Sequence, residues 1–415
     1  MGELYERKLE QLLFWLACGL LFIDSLTGFF VLKVGVDLKL SILYKIVFLF
    51  LGLLLLLQRN IKYFIISFSL LSYVIGWSIA QNWFGSIKYL VFDFGEALKL
   101  VSTIIVFLVF STFKLLDCRK LHFKIFSVSV AVLFINIFFS LIGIGSKSYG
   151  VFGAKGFFYA ANALSGIIVL IAAFVLVRAF KHGIVMYVGA AGFFALLAAM
   201  IGTKSGILGV MIVASLIPLS RFIVTPKLLG ALAILVPVAV IGAFYIYELF
   251  INSPIYERIV YFYETGGVTR ALLSDRDVFF WDIFPTFVNQ GYGRLLWGFG
   301  FEQLNLFNKD TVEMDPIDIV FIFGFFTFAV YAVLMYFMFK SVYLSETYRD
   351  ELSHDLKLSI AVSSFVLILI SSIAGHILFN GVVTFIWGVT IALPFWRRNN
   401  LELYASLTNR KLVEN

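Results

Sequence analysis

The chain is short of charge. Asp, Glu, Lys and Arg make up 14% of its 415 residues and hydrophobic types 61%, whereas a soluble domain carries about 25% charged residues. A mean hydropathy of +0.98 is more apolar surface than a water-solvated core of this length buries, so the solvent for most of the chain is lipid. Cysteine is scarce as well. Cys18 lies in the first apolar run and Cys118 in a basic loop, expected near opposite membrane faces, which excludes a disulfide framework. No glycine loop precedes a Lys-Ser/Thr pair and no GxGxxG sits between a strand and a helix, so neither usual nucleotide site is expected. Histidine is limited to His122, His182, His354 and His376, too far apart for a ligand cluster, and neither a metal nor a cofactor is expected. Internal repeats, low-complexity tracts and a soluble domain are lacking too. The formal net charge of +7 does not imply nucleic acid, because Lys and Arg gather in short connections between apolar runs.

What is present is a series of those runs. A bilayer core of about 30 Å needs about 20 apolar residues per helix. That length predicts spans at 11–32, 40–58, 63–80, 96–115, 125–145, 162–179, 184–201, 206–220, 228–248, 317–339, 358–374 and 380–396. Arg7 and Lys8 ahead of the first run resemble a signal peptide, but the run is too long and has no small-residue cleavage site, so it reads as an uncleaved helix. With the N-terminus inside, each connection expected in the cytoplasm is basic: Arg59 and Lys62, Arg119 and Lys120, Arg178 and Lys181, Arg221 and Lys227, Lys340 and Arg349, and finally Arg397 and Arg398. The expected fold is an all-α integral membrane protein of about 12 transmembrane helices with both termini cytoplasmic. Residues 1–415 form a single polytopic domain. One connection is long: residues 249–316, between predicted helices nine and ten, hold five basic against nine acidic residues and are expected outside as a large periplasmic loop with short helices of its own. Ser274 with Asp277 three residues on predicts a capping box opening a helix through Val278 and Trp281. Tyr256 to Tyr263 is aromatic enough to lie along the membrane interface.

Chemistry-bearing residues are few. His376, in Gly375-His376-Ile377 between the last two runs, is the one histidine expected outside, where an imidazole serves as a base near neutral pH; the alternative is a packed histidine at a tight turn. Cations expected at the outer face run against the positive-inside trend. Lys204 in Gly202-Thr203-Lys204-Ser205-Gly206, Lys155, Arg270, Arg276 and Arg294 together would form a pocket for a diphosphate or another anion. Against that, Arg276 would pair with Asp275 or Asp277, and Lys155 and Lys204 would snorkel to headgroups. Glu313, Asp315 and Asp318 flank Pro316 at a helix start, where the dipole favours carboxylates; the alternative has Asp315 or Asp318 orienting a sugar hydroxyl or pairing with an Arg. Within the apolar runs, Asp24 with Lys45 and Glu96 with Lys99 are expected pairs.

In this order along the chain, Gly202-Thr203-Lys204-Ser205-Gly206, Ser274-Asp275-Arg276-Asp277 through Trp281, Gly298-Phe299-Gly300-Phe301, Glu313-Met314-Asp315, Gly324 and Gly375-His376 resemble the O-antigen polymerase and ligase superfamily of bacterial membrane glycosyltransferases. The architecture resembles it over most of the chain. The ligases carry a histidine inside the large loop, and none lies between 249 and 316, which favours a polymerase of the Wzy type. The resemblance implies an inner-membrane enzyme of lipopolysaccharide biosynthesis. It would transfer a growing glycan from undecaprenyl diphosphate to a new lipid-linked repeat unit at the periplasmic face. Arg276 and Lys204 would stabilise the diphosphate, and His376 would act as base. A chain-length regulator and a flippase are the partners it implies, beside the bilayer and the undecaprenyl-diphosphate-linked oligosaccharide. An O-antigen ligase, a capsule polymerase, or a non-enzymatic flippase or transporter are the competing readings.

Overall fold

A computed structural model of the chain describes residues 2–83, 86–149, 152–220, 251, 254–307, 309, 311–344 and 351–414. The described part is almost wholly helical. In order it comprises α1 (Gly2–Phe29, ending in a π turn over Phe30–Val34), α2 (Leu40–Arg59), α3 (Ile61–Gln81), α4 (Ile87–Ser111) and α5 (Cys118–Leu141). A short hairpin follows, β1 (Ser146–Tyr149) and β2 (Phe152–Gly156). Next come α6 (Ala161–His182), α7 (Ile184–Ile201) and α8 (Lys204–Ser220). The long connection contributes α9 (Pro254–Leu273), α10 (Arg276–Asn289), α11 (Tyr292–Trp297) and α12 (Gly300–Leu304), and the chain ends in α13 (Asp315–Leu344), α14 (Glu351–Ala374) and α15 (Gly381–Glu414).

Nine of the described helices, α1 to α7 with α13 and α14, are long and apolar enough to cross a membrane. Helix α8 is apolar but shorter. Helix α15 is apolar and buried as far as Trp396 and turns polar from Arg397 onward. The protein is a multi-pass helical membrane protein. Its burial pattern follows from lipid as solvent: the most apolar windows of α4 and α6 are 78% and 83% buried, whereas those of α3 and α7 are 22% and 28% buried. The first two helices are therefore the interior of the bundle, and the last two present Phe68, Ile75, Val185 and Leu196 to the hydrocarbon. Within the interior, α4 packs along α15 and α6 between α7, α8 and α14.

Every expected span except 228–248 coincides with a helix; that one, with Arg221 and Lys227, lies outside the described residues. Several boundaries move outward: α1 to Gly2, α4 to Ile87, α5 to Cys118, α14 to Glu351 and the end of α15 to Glu414. Helix α4 begins at Ile87 rather than 96, because Ser86 caps it by accepting from the Lys88 amide at 3.3 Å. Its first turns carry Lys88 and Asp93, which mask the apolar pattern. The segment ahead of α6 is a hairpin, with Lys147 opposite Ala154, a small departure from an all-α chain. Asp24–Lys45 (3.6 Å) and Glu96–Lys99 are ion pairs as expected. The capping box is not formed. Helix α10 is there, but its cap is Asp275 at φ +68 without a side-chain bond to the backbone, and the Ser274 hydroxyl instead accepts from the Lys204 ammonium at 3.2 Å.

The long connection is fastened to the bundle at two places. Gly298 and Gly324, at φ +78 and +82, lie back to back: a Cβ on Gly298 would stand 2.1 Å from the Ile322 carbonyl oxygen, and one on Gly324 would stand 2.1 Å from that of Leu296. There the Phe299 amide donates to the Phe321 carbonyl at 2.8 Å, and α13 kinks at Gly324. The second fastening is the candidate site.

Candidate functional site at the loop-rich end of the bundle

Three segments meet where α9 passes into α10, where α13 begins and where α14 turns into α15. The Arg276 guanidinium joins them. Its Nη1 donates to the Leu273 carbonyl (2.9 Å), its Nε to the Glu313 carbonyl (2.9 Å), and its Nη2 to Glu313 Oε2 (2.9 Å) and the Ala374 carbonyl (3.1 Å). The planar fork suits this set of divergent acceptors in a way a lysine does not. The Ala374 carbonyl also accepts from Asn162 Nδ2 at 3.1 Å, which ties in α6. Neither Asp275 nor Asp277 is Arg276's partner; Asp275 pairs instead with Arg270, at 3.2 Å, so the alternative of a local pairing gives way to a pairing with Glu313, 37 residues away.

Asp315 is fully buried and its carboxylate accepts the amides of His376, Ile377 (2.8 Å) and Leu378 (2.6 Å). Three successive N–H groups on one carboxylate hold the α14–α15 turn. Both oxygens are occupied by backbone, so the geometry gives Asp315 to the turn rather than to a sugar hydroxyl. Asp318 closes the preceding loop in the same manner, accepting from Val312 (2.7 Å) and Met314 (3.2 Å). Gly375 rests on the Glu313 backbone: with φ +55, any Cβ there would meet the Glu313 carbonyl oxygen at 2.0 Å.

The backbone here is strained. Among the described residues five non-glycines have positive φ, namely Lys39, Ser274, Asp275, Glu313 and His376. All but Lys39 belong to this site. Such conformations cost about 1–3 kcal/mol each and persist where surrounding contacts over-determine them. The contacts just described do so.

His376 is the exposed member, with a side chain 39% accessible and Nε2 3.9 Å from Glu313 Oε1. Glu313 also takes Lys309 Nζ at 2.8 Å. Burial pulls the Glu313 carboxyl upward, but the Lys309 bond and the charges of Lys309, Arg276 and His376 outweigh it and hold the group below the usual carboxylate range. On the other side of Arg276, Lys204 donates to the Ala271 carbonyl and Ser274 Oγ, both at 3.2 Å, and lies over the Phe262 ring at 5.3 Å. Burial, then the charges of Arg258 and Arg276, bring the Lys204 ammonium down to about 8.

The turn bearing Lys204 explains itself except for that residue. Gly202 ends α7 in the left-handed region, and the Thr203 hydroxyl accepts from the Gly206 amide (3.2 Å) while bonding to Ser165 on α6. The cap and the α6 contact account for the small and hydroxyl residues. Lys204 supplies charge where neither needs it.

Of the residues singled out from sequence, the fold brings together Arg276, Lys204, His376 and Asp315, with Arg270 one turn away on α9. Arg270 folds back on its own kink and donates to the Thr265 carbonyl at 3.2 Å. Arg294 lies elsewhere, on α11 against Gln81 of α3 (2.9 Å). Lys155 stays on β2 and donates to the Tyr159 carbonyl at 3.2 Å, its ammonium held below its ordinary value by burial. Sequence reasoning gave no site role to Glu313, Lys309 and Arg258. An i, i+4 Lys309–Glu313 spacing was the one local signal, and the flanking chain does not read as a helix.

No protein-family model matches the chain, and no curated protein matches it either.

Proposed function

We propose that this multi-pass protein is a glycan polymerase of the bacterial inner membrane, with the described site at the periplasmic face and both termini in the cytoplasm. The observation that carries the reading is the concentration of backbone strain, cationic charge and one accessible histidine in a single polar site at the end of an apolar bundle. Strain held by that many bonds is commonly the mark of a catalytic or ligand-clamping site.

In the proposed reaction an acceptor sugar hydroxyl attacks the anomeric carbon of a glycan held on undecaprenyl diphosphate. The new glycosidic C–O bond forms as the bond from anomeric carbon to phosphate oxygen breaks, and the diphosphate leaves with the bonding pair. The hydroxyl proton passes to His376, whose imidazole is kept beside the Glu313 carboxylate. Lys204 stabilises the negative charge gathering on the leaving diphosphate. Arg276, with its guanidinium engaged by four acceptors, is a positioning residue: it holds Glu313 and the turn that presents His376.

The test is a lipopolysaccharide gel from the source strain with the gene deleted and then restored as wild type or His376→Asn. Asparagine tolerates a positive φ, so the turn is kept while the base is lost. Core bearing a single repeat unit, in both the deletion and the variant, is the expected result. Bare core in the deletion would move the assignment to ligation or flipping. A full ladder from the variant would remove His376 from the mechanism.

A further inference from the structure

The first fastening of the long connection, at Gly298 and Gly324, leaves a cleft of about 700 Å³ between α3 and α11. It combines three features. At its loop-rich end stands Arg294, whose Nη1 donates to Gln81 Oε1 at 2.9 Å and, at 3.4 Å, to the Gly298 carbonyl. Among the described residues no carboxylate pairs with it. Gln81 is in turn held by its amide donating to the Trp297 carbonyl at 2.7 Å, the same oxygen that accepts from Trp77 Nε1 at 3.0 Å. Below that polar rim the cleft runs along α3 to Tyr73, eight residues or about 12 Å deeper at the helical rise. Tyr73 is fixed by its hydroxyl bonding Thr327 of α13 at 2.6 Å. The floor is left open by glycine: a Cβ on Gly76 would meet nothing within 4 Å. Helix α3 is among the least buried spans, so the cleft opens sideways to hydrocarbon rather than to water alone.

We infer that this cleft is a binding site for a long-chain lipid with a phosphate headgroup. A guanidinium without a carboxylate partner, braced by a glutamine at the rim of an otherwise apolar, membrane-facing slot, is complementary to a phosphate oxygen. The slot beneath it, walled by Tyr73, Trp77 and Trp297 and floored by Gly76, takes the first methylenes or isoprene units of a chain. A soluble anion would have no use for the apolar length, and an uncharged lipid would leave Arg294 unanswered. The shared chemistry is a phosphate ester on an apolar chain, whether the lipid is a bilayer phospholipid or a polyprenyl phosphate. The inference stands apart from the proposed polymerisation, because it concerns binding at a different place from the Arg276 site.

The experiment uses the full-length protein, delipidated in detergent and followed by native mass spectrometry with added phosphatidylglycerol, undecaprenyl phosphate or diacylglycerol. Four proteins are compared: wild type, Arg294→Gln, Gly76→Leu and Gly192→Leu. The last is a control on α7, where a Cβ also meets nothing within 4 Å. Removing a charge-assisted hydrogen bond to phosphate is expected to weaken retention about tenfold or more. Gly76→Leu, which fills the floor without touching Arg294, should lose the lipid to a similar extent. Retention of diacylglycerol, which has no phosphate, by Arg294→Gln, and of every lipid by Gly192→Leu, should match wild type. Loss with undecaprenyl phosphate alone would assign the site to an isoprenoid lipid; loss with phosphatidylglycerol as well would assign it to the phosphate headgroup in general. Equal retention by wild type, Arg294→Gln and Gly76→Leu would overturn the inference. So would a Gly76→Leu defect with no Arg294→Gln defect, because the headgroup would then not be at Arg294.

Discussion

The two polar ends of the bundle are built on the same device and finished differently. At one end the fully buried Glu10 accepts the amides of Lys114, Leu115 and Leu116 and pairs with Arg59. At the other the fully buried Asp315 accepts the amides of His376, Ile377 and Leu378, with Arg276 pinning the segment just ahead of it. In both, a carboxylate gathers three successive N–H groups and an arginine fastens a neighbouring helix. The Glu10 end is then sealed: Asn400 donates to the Lys114 and Leu116 carbonyls at 2.8 Å and Trp396 to Leu116 at 2.7 Å. Among the described residues no positive-φ residue other than glycine lies there. The Asp315 end carries four such residues, an accessible histidine and a lysine that its own turn does not require. A lock needs none of these additions, and their presence at one end only separates a site from a joint.

The largest expected effects test the shared device. Glu10→Gln and Asp315→Asn keep shape but replace one acceptor oxygen with a donor facing backbone N–H groups. Each should destabilise the protein by about 2–4 kcal/mol, Glu10→Gln the more, because it also leaves the buried Arg59 with Glu6 as its remaining carboxylate. Denaturant titration in detergent micelles measures this. If Glu10→Gln unfolds like wild type, the sealed end is not the joint its geometry makes it. Arg276→Lys comes next. A point charge reaches at most one or two of the four acceptors, so about 2–3 kcal/mol should be lost. Polymer should fall with it even after expression is matched to wild type.

His376→Asn reverses the ranking of stability and function. The side chain is 39% exposed and its contact with Glu313 is a loose 3.9 Å, so stability should change by less than about 1 kcal/mol. Polymer should nonetheless be lost. The acid limb sharpens the same contrast. Glu313 has a folded-state pKa below its unfolded one. Its contribution is therefore fully present above the ordinary Glu value of about 4.3 and disappears as pH falls through the lower folded value. Glu313→Gln should flatten stability between pH 5 and the acid limit, about where wild type declines. A wild-type curve that stays level there would mean that Lys309 and Arg276 do not favour the charged form.

The helices were legible because lipid imposes one rule on composition. A span must be about 20 residues long and apolar, and α1 to α7, α13 and α14 all announce themselves in that way. Helix α4 began earlier than its apolar run because a buried Asp93, bonded to Asn82 (2.7 Å) and the Phe301 amide (3.0 Å), sits in its first half. A charge satisfied by partners 11 and 208 residues away cannot be told from an exposed one along the chain. The site was half legible for the same reason. Lys204, Arg276 and His376 stood out as charge or imidazole where the pattern asked for none. Glu313 did not, since what singles it out is a positive φ and a contact with Arg276, both fixed by tertiary packing. Arg294 stood out equally well yet belongs to a different cleft, because sign of charge says which face a residue occupies and nothing about its neighbours there.

The smallest expected effect is also the one that most directly separates a joint from a site. Lys204, at the mouth of α8 and outside the nine candidate spans, is held at about 8 by burial and by Arg258 and Arg276. Its charged form is disfavoured in the folded protein, so the ammonium is present at pH 7 and lost as pH rises through about 8, whereas an exposed lysine stays charged to about 10.4. If Lys204 answers a phosphate, polymer formation in membrane vesicles should fall over that interval by severalfold. Lys204→Arg, charged throughout, should show no such fall, whatever its absolute activity. A bound anion would itself favour the ammonium, so saturating donor lipid should push the wild-type midpoint upward. If the arginine variant follows the same pH curve as wild type, the fall belongs to another group and Lys204 is only a brace for Ser274 and the Ala271 carbonyl.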